Sequence, residues 1–259
     1  MTPVPPRYVG LWRRERLSRP DGWRDVTTEV YWLQTRSLFV DLRIPQPRPD
    51  FRGYAGLEEL PPELAAWLPR QQGFAGVLTV DDDVCHWHRE LDYQPPGETE
   101  DIGRADFINE ELMLESGVLA DYTEVWRKFV LGGAGILAMR AEKTPGGRSG
   151  ILVAVGDYFM YALDRTCALS AEYAYADWTA AELDCEIGFG RVRAGMPWRI
   201  ERCSLPFREG GKLLDGFDVR PEQGGWWEPP ADCVLAKAGP RWRVLEADSL
   251  PAEAAAGGD

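Results

Sequence analysis

The sequence predicts an all-β protein built as two tandem antiparallel β-barrels, with a short helix in each half. Three observations carry that expectation. Short runs rich in β-branched and aromatic residues recur along the chain, separated by proline and glycine turns. Helical periodicity is confined to two brief stretches. The two halves also echo one another: residues 32–43 and 154–165 are both strand–turn–strand units ending in arginine, Arg43 and Arg165. The division places one barrel at residues 1–131 and a second at 132–250, with an Ala/Gly-rich tail at 251–259 read as disordered. One larger barrel would leave much the same local pattern.

Each element follows from its residues. Residues 8–17 read as a strand carrying Gly10-Leu11-Trp12. Arg19-Pro20-Asp21-Gly22 is a turn, proline presetting φ and glycine accepting a positive one. Residues 26–33 are β-branched and aromatic. In the next strand Leu38, Val40, Leu42 and Ile44 alternate with Ser37, Phe39, Asp41 and Arg43, giving one apolar and one mixed face. Residues 57–70, with Pro61-Pro62, hold the short helix of this half. Residues 74–80 return to strand, and Asp81-Asp82-Asp83 turns the chain into residues 84–93. Short strands follow near 102–107, 112–115 and 122–129.

Gly132-Gly133-Ala134-Gly135 reads as a linker. Strands at 137–142 and 150–155 flank Thr144-Pro145-Gly146-Gly147, and Gly156-Asp157 makes a hairpin into 158–164. Asp177 to Glu182 is a capped helical turn. Strands are expected at 185–193, 198–204, 217–220, 233–236 and 242–246.

Composition bounds the function. The 259 residues are 44% hydrophobic and 11% aromatic, enough for one large core or two small ones. Twenty-nine Lys and Arg against 42 Asp and Glu give a net charge of −13, a field that repels phosphate backbones and anionic bilayers. Neither nucleic acid nor membrane is expected as a partner. Met1 to Arg7 lacks the apolar core of a secretory signal, and no run approaches the roughly 20 apolar residues of a membrane span. The five cysteines, Cys85, Cys167, Cys185, Cys203 and Cys233, are widely spaced with no C-x-x-C pair. That pattern points to reduced thiols and a cytoplasmic location.

Gly10-Leu11-Trp12 resembles the G-x-W opening of the calycin superfamily, the lipocalins and fatty-acid-binding proteins. The resemblance implies an up-and-down barrel closed at one end by the tryptophan, with a small ligand in its mouth. Residues 10–13, 32–45 and 85–96 also resemble uncharacterised bacterial and fungal proteins with two lipocalin-like barrels. That group implies a fold and no activity. The chain departs from secreted lipocalins in lacking a signal peptide and a disulfide pair.

Candidate site residues cluster on the strand that holds both histidines. On an extended strand His86, His88 and Glu90 share one face, which Asp92 continues, while Cys85, Trp87 and Arg89 share the other. Two imidazoles and a carboxylate are the ligand types of a zinc or non-haem iron site, although completion would need a carboxylate or cysteine from elsewhere. Without metal, His88 and Glu90 are candidates for general acid–base catalysis. A solvated or hydrogen-bonded strand face is the commoner fate. No nucleophile elbow, P-loop or dinucleotide fingerprint occurs.

Eleven tryptophans supply the other signal. Most are expected in the core, but an aromatic-lined cavity would use the same residues. Trp12, Trp32, Trp87, Tyr93, Arg43 and Arg165 are the candidate ligand contacts, the arginines as anchors for a carboxylate. The leading expectation is therefore a barrel that binds a hydrophobic or aromatic small molecule, its cofactors and oligomeric state undetermined by sequence. The alternatives are a barrel isomerase, cyclase or lyase, and an interaction scaffold presenting Trp226-Trp227.

Overall fold

The alternation in residues 37–44 fixes how the two halves meet. In the computed structural model, which describes residues 3–95, 97, 99–129, 135–142, 147–169, 178–193, 195–215 and 222–248, the protein is all-β with few helices. The first sheet comprises β1 (Gly10–Ser18), β2 (Arg24–Asp25), β3 (Glu29–Gln34), β4 (Phe39–Ile44), β5 (Gln72–Asp81), β6 (Val84–Asp92), β7 (Asp101–Phe107), β8 (Leu112–Gly117) and β9 (Thr123–Lys128). All neighbours are antiparallel. β9 returns to β1, from Trp12↔Lys128 to Ser18↔Thr123, so the eight longer strands close into a barrel and β2 extends the wall beside the end of β1. Closure satisfies most of the sheet edge, leaving β2 and the last residues of β6 unpaired on one side among the described residues.

The second sheet holds β10 (Ile136–Ala141), β11 (Gly150–Val155), β12 (Tyr158–Leu163), β13 (Glu186–Arg191), β14 (Trp198–Cys203), β15 (Lys212–Leu214), β16 (Trp226–Trp227) and β17 (Trp242–Ala247). Its order, β15-β14-β13-β12-β11-β10-β17-β16, repeats the plan of the first: a meander whose last strand returns to its first. Among the described residues β15 does not meet β16, so this sheet is a curled half-barrel.

The echo of residues 32–43 with 154–165 is real at this level, since β3–β4 and β11–β12 are the second and third strands of their meanders. The echo of Cys85 with Cys185 is not. Cys85 lies on the fifth barrel strand, and Cys185 immediately precedes the fourth strand of the second sheet.

The two sheets pack face to face. Val40, Leu42 and Ile44 point out of the barrel and share one core with Ile151, Val153, Val155, Met160, Ala162, Ile187 and Phe189. Tyr31 stacks on Phe189 with ring centroids 4.2 Å apart. The other face of the second sheet carries its own core, with Phe159, Tyr161, Trp198 and Trp242. β11 is therefore buried on both faces and reads as continuous apolar residues. Ion pairs rim the junction, among them Arg36–Glu246 at 2.7 Å, Arg202–Glu29 at 2.8 Å and Arg140–Glu90 at 2.8 Å.

Several local expectations change. The segment 57–70 is a 3-10 turn (Leu57–Glu59), the α-helix α1 (Pro62–Ala65) and another 3-10 turn (Leu68–Arg70), because Pro61, Pro62 and Pro69 interrupt one helix. The capped turn holds: Thr179 and Glu182 form a reciprocal capping box at α2 (Ala180–Leu183). Residues 234–238 are a 3-10 turn rather than a strand. The Gly132-Gly133-Ala134 linker, the 217–220 strand, the Thr144-Pro145-Gly146 turn and the 251–259 tail lie outside the described residues.

β6 departs from strict alternation. Ala75 faces Leu91 and Gly76 faces Arg89, which leaves Glu90 as the extra residue of a bulge. Gly76 permits that bulge: a Cβ there would stand 2.0 Å from the His88 carbonyl oxygen. Gly76→Ala is expected to lower the stability measured by urea unfolding by at least about 2 kcal/mol. Gly56→Ala, whose Cβ meets nothing nearer than Glu58 Oε2 at 3.7 Å, should stay within about 0.5 kcal/mol of the parent.

Candidate functional site

Because the outward face of β3–β5 is committed to the second sheet, the alternate residues point into the barrel. Trp32, Asp41, Arg43 and Phe74 therefore line an interior cavity of about 360 Å³. From the opposite wall come Trp87 and Arg89 on β6, Asp101 on β7, Glu115 on β8, and Glu124 and Trp126 on β9, with Tyr122 just before β9. The volume is at the small end for ligand pockets.

One end of the interior is a tryptophan cluster. Trp32 stacks on Trp12 at 5.9 Å and meets Trp87 and Trp126 edge-on at 5.8 and 5.6 Å. Trp12 forms the floor: its indole donates to the Tyr8 carbonyl at 2.8 Å, and Lys128 Nζ lies 4.6 Å from its ring. Lys128 also donates to the Arg7 carbonyl at 2.5 Å. Burial lowers its pKa to about 8.

The other end is ionic. Arg43 bonds Asp41 at 2.9 Å, and Arg14, just behind it, reaches Glu124 at 2.6 Å and Asp25 at 2.8 Å. Arg89 bonds Asp101 at 2.6 Å and Asp92 at 3.2 Å while lying 3.7 Å from the Phe74 ring centroid. Glu115 is different. It accepts from Tyr122 Oη at 2.8 Å, and among the described residues it has no cationic partner within salt-bridge distance. Burial, with the Glu124 carboxylate beside it on the neighbouring strand, pushes Glu115 well above the ordinary carboxylate range and favours its protonated form. Burial also raises Asp41, against the pull of Arg43.

The wall is incomplete beside Arg89. The last β6–β7 pair is Trp87↔Asp101, and β6 runs on to Asp92 without a β7 partner. A second cavity of about 380 Å³ adjoins there, sharing Trp87, Arg89, Asp101, Ala120 and Tyr122 and reaching outward to His86 and His88.

The predicted site residues separate into three groups. Trp32, Trp87 and Arg43 line the cavity, and Trp12 lies beneath it. Arg43 is engaged by Asp41. Tyr93 and Arg165 lie elsewhere: Tyr93 is fully buried, its hydroxyl donating to the Leu68 carbonyl at 3.2 Å. Arg165 donates to the carbonyls of Asp92, Tyr93 and Glu182, pinning the second sheet to the end of β6.

His86, His88 and Glu90 occupy the outer side of the wall. The imidazoles lie 3.8 Å apart, and His88 Nε2 is 2.9 Å from Thr79 Oγ1. Partial burial and the neighbouring His86 lower the His88 pKa. Glu90 is held in its ion pair with Arg140. Among the described residues no three His, Cys, Asp or Glu side chains are grouped to hold a metal ion. After the bulge, Asp92 turns to Arg89 and does not continue the histidine face. Trp226 is 43% exposed, with Arg241 and Arg243 stacked against its ring.

Sequence reading missed Glu115, Glu124, Tyr122 and Trp126 as a group. Their available signal was Glu115, Glu124 and Trp126 at interior positions of strands otherwise reading as core.

Burial raises the Asp92 pKa to about 6, against the opposing pull of Arg89. Its folded value lies above the ordinary 3.8, so the folded chain binds this proton more tightly than the unfolded chain does. The stabilisation it supplies is complete below about pH 4 and lost as pH rises through 6. Asp25, lowered to about 2, acts in the opposite sense and only in stronger acid. Urea unfolding between pH 4 and 7 should show a decline in the parent that Asp92→Asn reduces by on the order of 2 kcal/mol. Parallel curves for the two proteins would contradict this assignment.

No family model and no curated protein matches the chain. Among solved structures, that of an uncharacterised protein from Saccharomyces cerevisiae is similar, with a TM-score of 0.60 at 12% identity, covering 92% of this chain and 98% of that one. The likeness is one of barrel fold.

Proposed function

We propose that the closed barrel binds a small aromatic or otherwise planar molecule, seated against the tryptophan cluster with its polar edge toward the Arg43–Glu115 end. The observation that supports this reading is a cavity of about 360 Å³ inside a barrel whose floor is sealed by Trp12. The G-x-W opening fits a calycin-like binding barrel. Trp32, Trp87 and Trp126 would supply stacking surfaces, which rigid aromatic side chains do at little entropic cost. An enzyme working through His88 and Glu90 draws less support, because both face outward and Glu90 is committed to Arg140.

Native mass spectrometry of the purified full chain tests the proposal. A retained mass of organic size is expected. It should disappear in Ala120→Trp, which fills the mouth from an exposed position and leaves the core intact. A retained mass that survives this substitution would place the ligand elsewhere. A bare chain that also shows no change in tryptophan fluorescence with any planar aromatic probe would sink the binding reading.

A further inference from the structure

In the cavity wall one buried donor lacks an acceptor and one buried carboxyl lacks a cationic partner among the described residues. Trp126 is 2% exposed, lines the cavity, and its indole Nε1 has no hydrogen-bond partner among the described residues. A buried donor left unpaired costs roughly 1–3 kcal/mol, so folds rarely keep one without a reason. Trp242 Nε1 is also unpartnered, but it belongs to the packed core of the second sheet, where a Cβ on Gly150 would already touch its ring at 2.7 Å. Trp126, by contrast, belongs to the wall of the cavity, although its Nε1 is itself buried.

Glu115, which burial and the Glu124 carboxylate push well above the ordinary carboxylate range, is the second group. It faces Glu124 directly across the β8–β9 ladder, and Trp126 lies two residues further along the same face. Diagonal neighbours of this kind stand about 7–8 Å apart at the backbone, close enough for two long side chains to converge on one atom. Room for the carboxyl is built into the wall: a Cβ on Gly103 would stand 2.8 Å from Glu115 Oε1. Protonated, the carboxyl accepts from Tyr122 and keeps an O–H to give away.

Three of the four arginines near the cavity are already engaged by carboxylates. Arg43 serves Asp41, Arg89 serves Asp101 and Asp92, Arg14 serves Glu124 and Asp25, and Arg19 stacks on Trp23. An anionic ligand would find only the exposed Arg19 without a carboxylate partner among the described residues, and would meet Asp41, Asp101 and Glu124 deeper in the cavity. A neutral acceptor meets no such penalty.

We infer that the ligand presents a neutral carbonyl oxygen to the Trp126 indole N–H and the Glu115 carboxyl, its planar ring lying against Trp32 and Trp87. This rests on the binding reading above and narrows it to a class: planar, uncharged, carbonyl-bearing molecules.

The test uses three probes of one shape, 1-indanone, indane and indane-1-carboxylate, titrated calorimetrically into the full chain at pH 7. Indanone should bind roughly tenfold tighter than indane, as expected for two hydrogen bonds to otherwise unsatisfied donors, and the carboxylate weakest. Trp126→Phe, which keeps the ring and loses the N–H, should bring the indanone-to-indane ratio close to one. Glu115→Leu should do the same, while Glu115→Gln, which keeps an N–H donor, should preserve most of it. Near-ultraviolet circular dichroism establishes that each variant is folded. Equal binding of indanone and indane to the parent would overturn the carbonyl assignment and leave the barrel a binder of apolar rings. Tightest binding of the carboxylate would overturn it in favour of an arginine anchor. Binding of none of the three would overturn the inference together with the reading beneath it.

Discussion

The structure depends on the two-sided burial of β3, β4 and β5. The second sheet covers their outer face, so Val40, Leu42 and Ile44 must point away from the barrel axis, and the period of two sends Asp41 and Arg43 inward. A barrel standing alone would ordinarily do the reverse. The half-barrel thus acts as an apolar cover, and its presence makes a charged interior the cheaper arrangement. Ion pairs Arg43–Asp41, Arg14–Glu124 and Arg89–Asp101 follow, since buried charges persist only when paired.

Within that interior the charge is sorted rather than scattered. Four tryptophans occupy the closed end, and the carboxylates and arginines gather at the other. Arg43, Arg89 and Arg14 each have a carboxylate, while the buried Glu115 has no cationic partner among the described residues. Glu115, with Tyr122 as its partner, is the one that burial and the neighbouring Glu124 push toward its protonated form. The cost of keeping it buried is what distinguishes it from the structural ion pairs around it. Gly103 and Gly76 are the backbone counterparts of this sorting, one making room for the carboxyl and the other admitting the bulge that brings Asp92 round to Arg89.

Fold class was legible in the sequence because it rests on local facts: alternation in residues 37–44, the proline-glycine turns, and the hairpin echo. The site was only partly legible. Trp32, Trp87 and Arg43 were found because tryptophans and strand arginines stand out by type. The histidine strand attracted attention for its chemistry, yet pairing with β5 put His86 and His88 outside, and the bulge at Glu90 turned Asp92 away from them. Which face of a strand points inward depends on what covers the other, and no single strand records that. Glu115 and Glu124 become a pair only through β8–β9 register, and Arg165 becomes a clamp only once the second sheet is in place.

The half-barrel's unclosed seam bears on how the protein behaves at high concentration. A sheet with free backbone groups along its margin invites a strand from another chain. Here the two margins are very short, three residues in β15 and two in β16. Arg241 and Arg243 flank Trp226 on the second of them, and Pro229-Pro230 follows. Among the described residues few amides stand in line along these margins, and the arginines add like-charge repulsion to any approaching copy. Short strands and stacked arginines are therefore what these described margins present to an approaching strand.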